Sequence, residues 1–177
     1  MPTDAVLSPK QLLSVQEATA RINLWEGAVR SGKTIGSLLR FLIYVAQSNV
    51  PGELVVVSRT RDSAARNVFA PLTNPDLYGD AARFVEYTPG APSGTILGRK
   101  VWVLGSSDVR SENVLRGLTC AGAYVDEVTL LREDFFTQLL NRLWEGAKLF
   151  GTTNPDSPAH WLRRRFLDRL HELPDWR

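Results

Sequence analysis

The chain has 177 residues, 44% of them hydrophobic, and a formal net charge of +2, which allows one sizeable core and excludes two independent large domains. It has no run of 18 or more apolar residues and no basic-then-apolar start at Met1, so a soluble, intracellular protein with no membrane partner is expected. A single cysteine, Cys120, excludes an intrachain disulfide, and His160 and His171 alone make no zinc set, so any metal must sit on oxygen ligands.

In chain order, Ser8-Pro9-Lys10-Gln11 opens an apolar helix. Gln11 there admits two readings: the second half of a capping box with Ser8, or an amide that reads the edge of an adenine. A first buried strand at 22–25 runs into a glycine-bearing loop, and an apolar helix is predicted over 34–46. Further apolar runs at 54–57, 101–104, 121–125 and 149–151 do not alternate, so both of their faces are covered, as in parallel strands between helical layers. Between 84–87 and 101–104, the Gly- and Pro-rich stretch 89–99 predicts a mobile turn or antiparallel excursion at the sheet edge, and 105–113 reads as a loop. Phe135, Phe136, Leu139, Leu140, Leu143 and Trp144 form one stripe at helical spacing, while Cys120 and Tyr124 read as core. A last helix is predicted from Ser157 as cap, with Pro158 at its first position, to near Pro174; its Arg163-Arg164-Arg165 run reads as a solvated face. The whole is an α/β, three-layer domain with a mostly parallel central sheet. Two short repeats, LWEGA and TNPD, do not extend into their neighbours and define no solenoid period.

Three strand ends carry chemistry. Gly27-Ala28-Val29-Arg30-Ser31-Gly32-Lys33-Thr34 fits G-x-x-x-x-G-K-S/T between a strand and a helix, the context that the P-loop requires. Its backbone N–H groups and the helix N-terminus can cradle a β-phosphate, Lys33 can reach the β- and γ-oxygens, and the Thr34 hydroxyl can ligate Mg²⁺. Arg30 admits contact with the γ-phosphate, contact with a neighbour, or no role. Asp126 and Glu127 follow the strand 121–125: the first acid suits the Mg²⁺ shell, and the second can polarise water, which favours hydrolysis over phosphotransfer. Together these features define the expected P-loop NTPase fold with a catalytic Glu after the Walker B Asp, binding ATP and Mg. Thr152, Thr153 and Asn154, past the strand 149–151, are neutral groups placed to sense a γ-phosphate, although Asn-Pro also starts turns. Arg116, ten residues before Asp126, is the candidate arginine for the developing charge, with Arg110 second; a surface salt bridge is the plain alternative.

With this loop, Asp-Glu and Thr-Thr-Asn-Pro in this order, the chain resembles the N-terminal ATPase domain of the large terminase subunit, the DNA-packaging motor of tailed bacteriophages. GAVRSGKT, with an arginine inside the loop, is similar to the terminase form of the motif, and the resemblance runs from about Ser8 to the end. It implies Gln11 as the adenine contact, Asp126 as the magnesium acid, Glu127 as the catalytic acid, and Thr152 to Asn154 as the motif coupling hydrolysis to movement. Some relatives carry the loop arginine one residue earlier, at the place of Val29. The resemblance further implies double-stranded DNA, portal protein and small terminase subunit as partners, self-association into a ring on the procapsid, and a place in the cytoplasm of the infected bacterial host. It divides the chain into an ATPase domain at 1–156 and the truncated start of a lid or linker helix at 157–177. The C-terminal nuclease domain of such two-part machines is expected to be absent, and no DNA cleavage is expected. A helicase or DNA-repair ATPase, or a nucleotide-gated binding module with little hydrolysis, shares parts of the pattern.

Overall fold

The computed structural model describes residues 7–177; the first six residues of the expected 1–156 domain lie outside the described residues. Helix α1 (Pro9–Glu17) leads into β1 (Ile22–Glu26), and α2 (Lys33–Gln47) then leads to β2 (Glu53–Ser58). Next come α3 (Arg61–Ala64), a π-helical turn (Ala65–Phe69), α4 (Ala70–Leu72), α5 (Pro75–Tyr78) and a 3₁₀ turn into β3 (Val85–Glu86). Strands β4 (Ser93–Ile96) and β5 (Arg99–Gly105) precede α6 (Val109–Gly117), β6 (Cys120–Val125), α7 (Glu133–Arg142), β7 (Leu143–Thr153) and α8 (Trp161–Arg165).

The seven strands form one sheet in the order β1-β7-β6-β2-β5-β4-β3. From β1 to β5 all neighbours are parallel, and β4 and β3 return antiparallel, as the turn-rich stretch before β5 predicts. Every residue of β6 is buried, which agrees with its unbroken apolar run. One face packs against α2 and the helices after β2, through Leu38, Phe41, Leu72 and Tyr124. The other face packs against α6, α7 and the C-terminal segment, through Leu115, Phe135, Phe136 and Leu162. This is the expected three-layer arrangement. Cys120 and Tyr124 are both fully buried.

Three local readings are corrected. Leu143 and Trp144 do not continue the helical stripe: α7 ends at Arg142, and Leu143 already pairs with Cys120. The register then jumps to Gly122 opposite Lys148, so the intervening residues bulge out, with Gly146 at φ 80°. Within the stretch read as a loop, Asp108 caps α6 by accepting from the Arg110 N–H at 3.0 Å. That helix hides its inner face behind Ser111, which is fully buried and accepts from the Gly105 N–H, so apolar spacing could not reveal it. The last helix starts at Trp161 rather than at Pro158, because Asp156 and Ser157 bend the chain and His160 caps, its Nδ1 accepting from the Leu162 N–H at 3.1 Å.

Past α8 the backbone breaks at Phe166 (φ −127°) and continues as a 3₁₀ turn, Leu167–Glu172. The end of the chain then runs beside β1, where the Ile22 N–H donates to Asp175 O and the Arg177 N–H donates to Ile22 O. Phe166 stacks on Trp176 at 4.3 Å, and Phe136 packs against both. Among the described residues no helix is long and apolar enough to cross a membrane.

Candidate active site

Because β1, β7 and β6 are adjacent and parallel, their C-terminal ends meet at one edge of the sheet, and each end carries one of the three motifs. The loop after β1 turns into α2 through Gly32 at φ 77°, a conformation that favours glycine. A Cβ there would lie 1.9 Å from Gln11 Nε2 and would push that amide off the loop. Arg30 also has positive φ (66°), and Val29, Arg30 and Ser31 are all exposed.

Lys33, the first residue of α2, donates through Nζ to the Gly27 carbonyl at 2.9 Å and to the Ala28 carbonyl at 3.3 Å. It also donates to Asn154 Oδ1, and lies 3.9 Å from the Glu127 carboxylate. The ammonium thus joins the loop to the ends of both β7 and β6. Beside it a cleft of about 450 Å³ is lined by Gln11, Trp25, Gly27, Ser31 and Lys33, within the size range of small-molecule sites.

Both halves of the Gln11 capping box are present: Oε1 accepts from the Ser8 N–H at 2.7 Å, and Ser8 Oγ accepts from the Gln11 N–H. The same amide donates from Nε2 to the Ser31 carbonyl at 2.9 Å, so Gln11 ties α1 to the phosphate loop as well as capping its helix.

Asp126 is 4% exposed, and its N–H donates to Val57 O, which continues the β2–β6 pairing past the end of β6. Its Oδ2 accepts from Ser58 Oγ and from Asn67 Nδ2, each at 2.9 Å. Burial pushes its pKa up, and these two hydrogen bonds and the nearby Lys33 charge oppose the rise. Ser58 and Asn67 are absent from the motifs read in the sequence. A polar residue ending a buried strand could have drawn attention to Ser58, but nothing local marks Asn67.

Glu127 has φ 56° and ψ 71°, a left-handed conformation costly for a residue with a side chain. The chain turns sharply there, and the Glu127 N–H donates to Thr152 Oγ1 at 3.2 Å. Desolvation raises the Glu127 pKa, Lys33 holds it down, and Asp126 raises it further. Thr152 and Thr153 are both fully buried. Under this edge, Ser37 Oγ donates to the Thr34 carbonyl and accepts from the buried Tyr124 hydroxyl, fixing the first turn of α2 to β6.

The structure does not bring Arg116 to the loop of its own chain. Helix α6 runs from the end of β5 back to the start of β6, so Arg116, in its last turn, lies toward the opposite edge of the sheet from the phosphate loop. Arg116 pairs with Glu112 at 2.9 Å, and Glu112 also takes Arg132 at 2.8 Å. Arg110 sits in the first turn of α6. The basic run at 163–165 is not simply a solvated face: Arg163 pairs with Glu26 at 2.6 Å, at the end of β1, and Arg165 pairs with Glu133.

A parallel sheet that presents a glycine-turned lysine loop against two acids on the next strand but one defines an α/β nucleotide-binding domain of the P-loop class. Comparison with known proteins narrows the class. No family model matches the chain, and no curated protein sequence matches it. Among solved structures, the large terminase from a thermophilic bacteriophage superposes with a TM-score of 0.77 at 27% identity, over 96% of this chain and 44% of that one. The same terminase in complex with ATP-gamma-S gives a TM-score of 0.75 at 26% identity, over 96% and 43%. The ATPase domain of the Thermus phage P74-26 large terminase gives 0.56 at 17% identity, over 89% and 68%, a likeness of fold alone. The chain is therefore similar along nearly its whole length to large terminase ATPase domains, as its motifs suggest, and spans less than half of the thermophilic phage's protein.

Proposed function

We propose that this chain is the ATP-hydrolysing motor domain of a large terminase, driving double-stranded DNA into a viral procapsid. The observation that carries the reading is Glu127, held beside Asp126 by a backbone turn locked onto Thr152 and 3.9 Å from Lys33. In this role the N–H groups of Gly27 to Thr34 cradle the phosphates, Lys33 reaches the β- and γ-oxygens, and Gln11 contacts the base. Glu127 orients and deprotonates the attacking water. Thr152, Thr153 and Asn154 report the γ-phosphate to the rest of the sheet through Lys33 and the Glu127 backbone.

The donor set fits Mg²⁺. Asp126 and Thr34 are hard oxygen donors, both donors to the Asp126 carboxylate fall on Oδ2, and Mg²⁺ characteristically takes one or two protein oxygens plus phosphate and water. Asp126 and the Thr34 hydroxyl would hold it, and when bound it would neutralise charge on the phosphate oxygens. Steady-state phosphate release from Mg-ATP tests the reading: slow release by the purified chain, abolished by chelator, is expected. Release undiminished in chelator would overturn the metal assignment.

The likeness to large terminases supports the proposed partners, which are double-stranded DNA, portal protein, small terminase subunit and further copies in a ring. The proposed setting is the cytoplasm of the infected host, at the procapsid portal. Residues 1–156 form the proposed ATPase unit, with 157–177 opening the lid or linker.

Arg116, which the course of α6 carries away from its own phosphate loop, is the proposed arginine acting on a neighbour's γ-phosphate. Such an arginine contributes roughly 10³ to 10⁵ in rate. In full-length protein assembled on its portal, Arg116→Ala and Glu127→Ala subunits are each expected to be inactive, and their mixture to regain ATPase activity. Mixed rings that stay inactive would mean that Arg116 acts within its own subunit or not at all.

A further inference from the structure

We infer that Ser58 and Asn67 are positioning residues that hold the Asp126 carboxylate in one orientation for a divalent cation bound with the nucleotide. The inference rests on the reading of Asp126 given above. Both donors converge on the same oxygen, Oδ2, at 2.9 Å each, and among the described residues no side chain or backbone group donates to Oδ1. A carboxylate offers about four lone-pair sites, and two donors on one oxygen stop rotation about χ2 while leaving the other oxygen for a cation or its water shell.

The chemistry of the two donors suits this task. A hydroxyl and an amide are neutral, so they orient the carboxylate without cancelling the charge that attracts a cation. An arginine or lysine in either place would compete with the metal. The two donors reach Asp126 from different elements. Ser58 ends β2, the strand beside β6, and is 1% exposed. Asn67 comes from the turn at Ala65–Phe69, where the helix from Arg61 to Leu72 widens into π geometry. A π turn is a rare insertion that re-aims side chains and is frequent at functional sites. Here it buries Val68 and Phe69 while the exposed Asn67 turns its amide onto Asp126.

The test is metal binding rather than turnover. Mn²⁺ affinity in the presence of ADP is measured by electron paramagnetic resonance, and mant-ADP affinity in chelator by fluorescence, for the parent, Asn67→Ala, Ser58→Ala, the double variant and Asp126→Asn. Loss of a partner that orients a metal ligand typically weakens metal affinity 10- to 100-fold. Each single variant is therefore expected to lose about tenfold in Mn²⁺ affinity and the double variant up to about 100-fold, with mant-ADP affinity in chelator equal to the parent's. In the Asp126→Asn background, Asn67→Ala is expected to cause no further loss, because the two groups act as a unit. An equal loss of mant-ADP affinity in chelator would show a merely structural role and overturn the inference. Parent-like Mn²⁺ affinity in the double variant, with affinity lost in Asp126→Asn, would overturn the inference alone. Parent protein whose Mn²⁺ affinity does not depend on Asp126 would overturn the reading of the metal acid, and this inference with it.

Discussion

Glu127→Gln is expected to bind Mg-nucleotide like the parent and to hydrolyse it about 10² to 10⁴ times more slowly, the contribution of a positioned general base. The amide keeps the shape of the side chain and leaves the left-handed backbone and its N–H bond to Thr152 as they are. What it loses is the ability to accept a proton. The carboxylate lies 3.9 Å from Lys33, whose charge opposes the upward push of desolvation on its pKa. Measured side by side, nucleotide affinity and single-turnover phosphate release separate the two effects. Binding lost in proportion to turnover would contradict the assignment, since the residue would then be building the site rather than acting in it. Glu127→Ala also removes the base, but it changes the side chain's shape as well, so Gln is the sharper test.

Lys33→Ala is expected to abolish hydrolysis and to weaken nucleotide binding by at least 10- to 100-fold. Each hydrogen bond to a charged group is worth about 1.5–3 kcal/mol, and a tenfold change in affinity corresponds to about 1.4 kcal/mol. Lys33 is the only lysine of the loop, and its ammonium bridges the Gly27 and Ala28 carbonyls to Asn154 and faces Glu127. Alanine therefore removes the cation from the phosphates and also releases the ends of β6 and β7. The Glu127 pKa, which Lys33 holds down, would rise further. Fluorescence titration with mant-ADP and steady-state phosphate release check both parts. A folded variant that hydrolyses ATP at the parent rate would place the site elsewhere.

Much of the fold is legible in the sequence because its signals are local. The runs at 54–57, 101–104 and 121–125 lie inside β2, β5 and β6, since continuous burial on both faces demands continuous apolar residues. The readings that failed share a cause: a local pattern was overridden by a contact distant in sequence. Leu143 and Trp144 keep helical spacing with α7, but pairing of Leu143 with Cys120 draws them into a strand. Helix α6 looked like a loop because its buried Ser111 is polar and is satisfied by the Gly105 N–H. Ser157 and Pro158 look like a helix start, but the chain bends there and His160 takes the cap.

The phosphate loop, the acid pair and the polar end of β7 can be read from the chain alone, because each is a contiguous stretch whose chemistry follows from its own residues and the strand before it. How these stretches meet is set by the order of the strands. Placing β7 between β1 and β6 sets Thr152 on the Glu127 N–H across 25 positions and Asn154 on Lys33 across 121. Placing β2 beside β6, with a π turn after it, sets Ser58 and Asn67 on Asp126 across 68 and 59. Strand order is chosen by which crossovers bury both faces of the sheet, a property of the whole chain that no local pattern encodes.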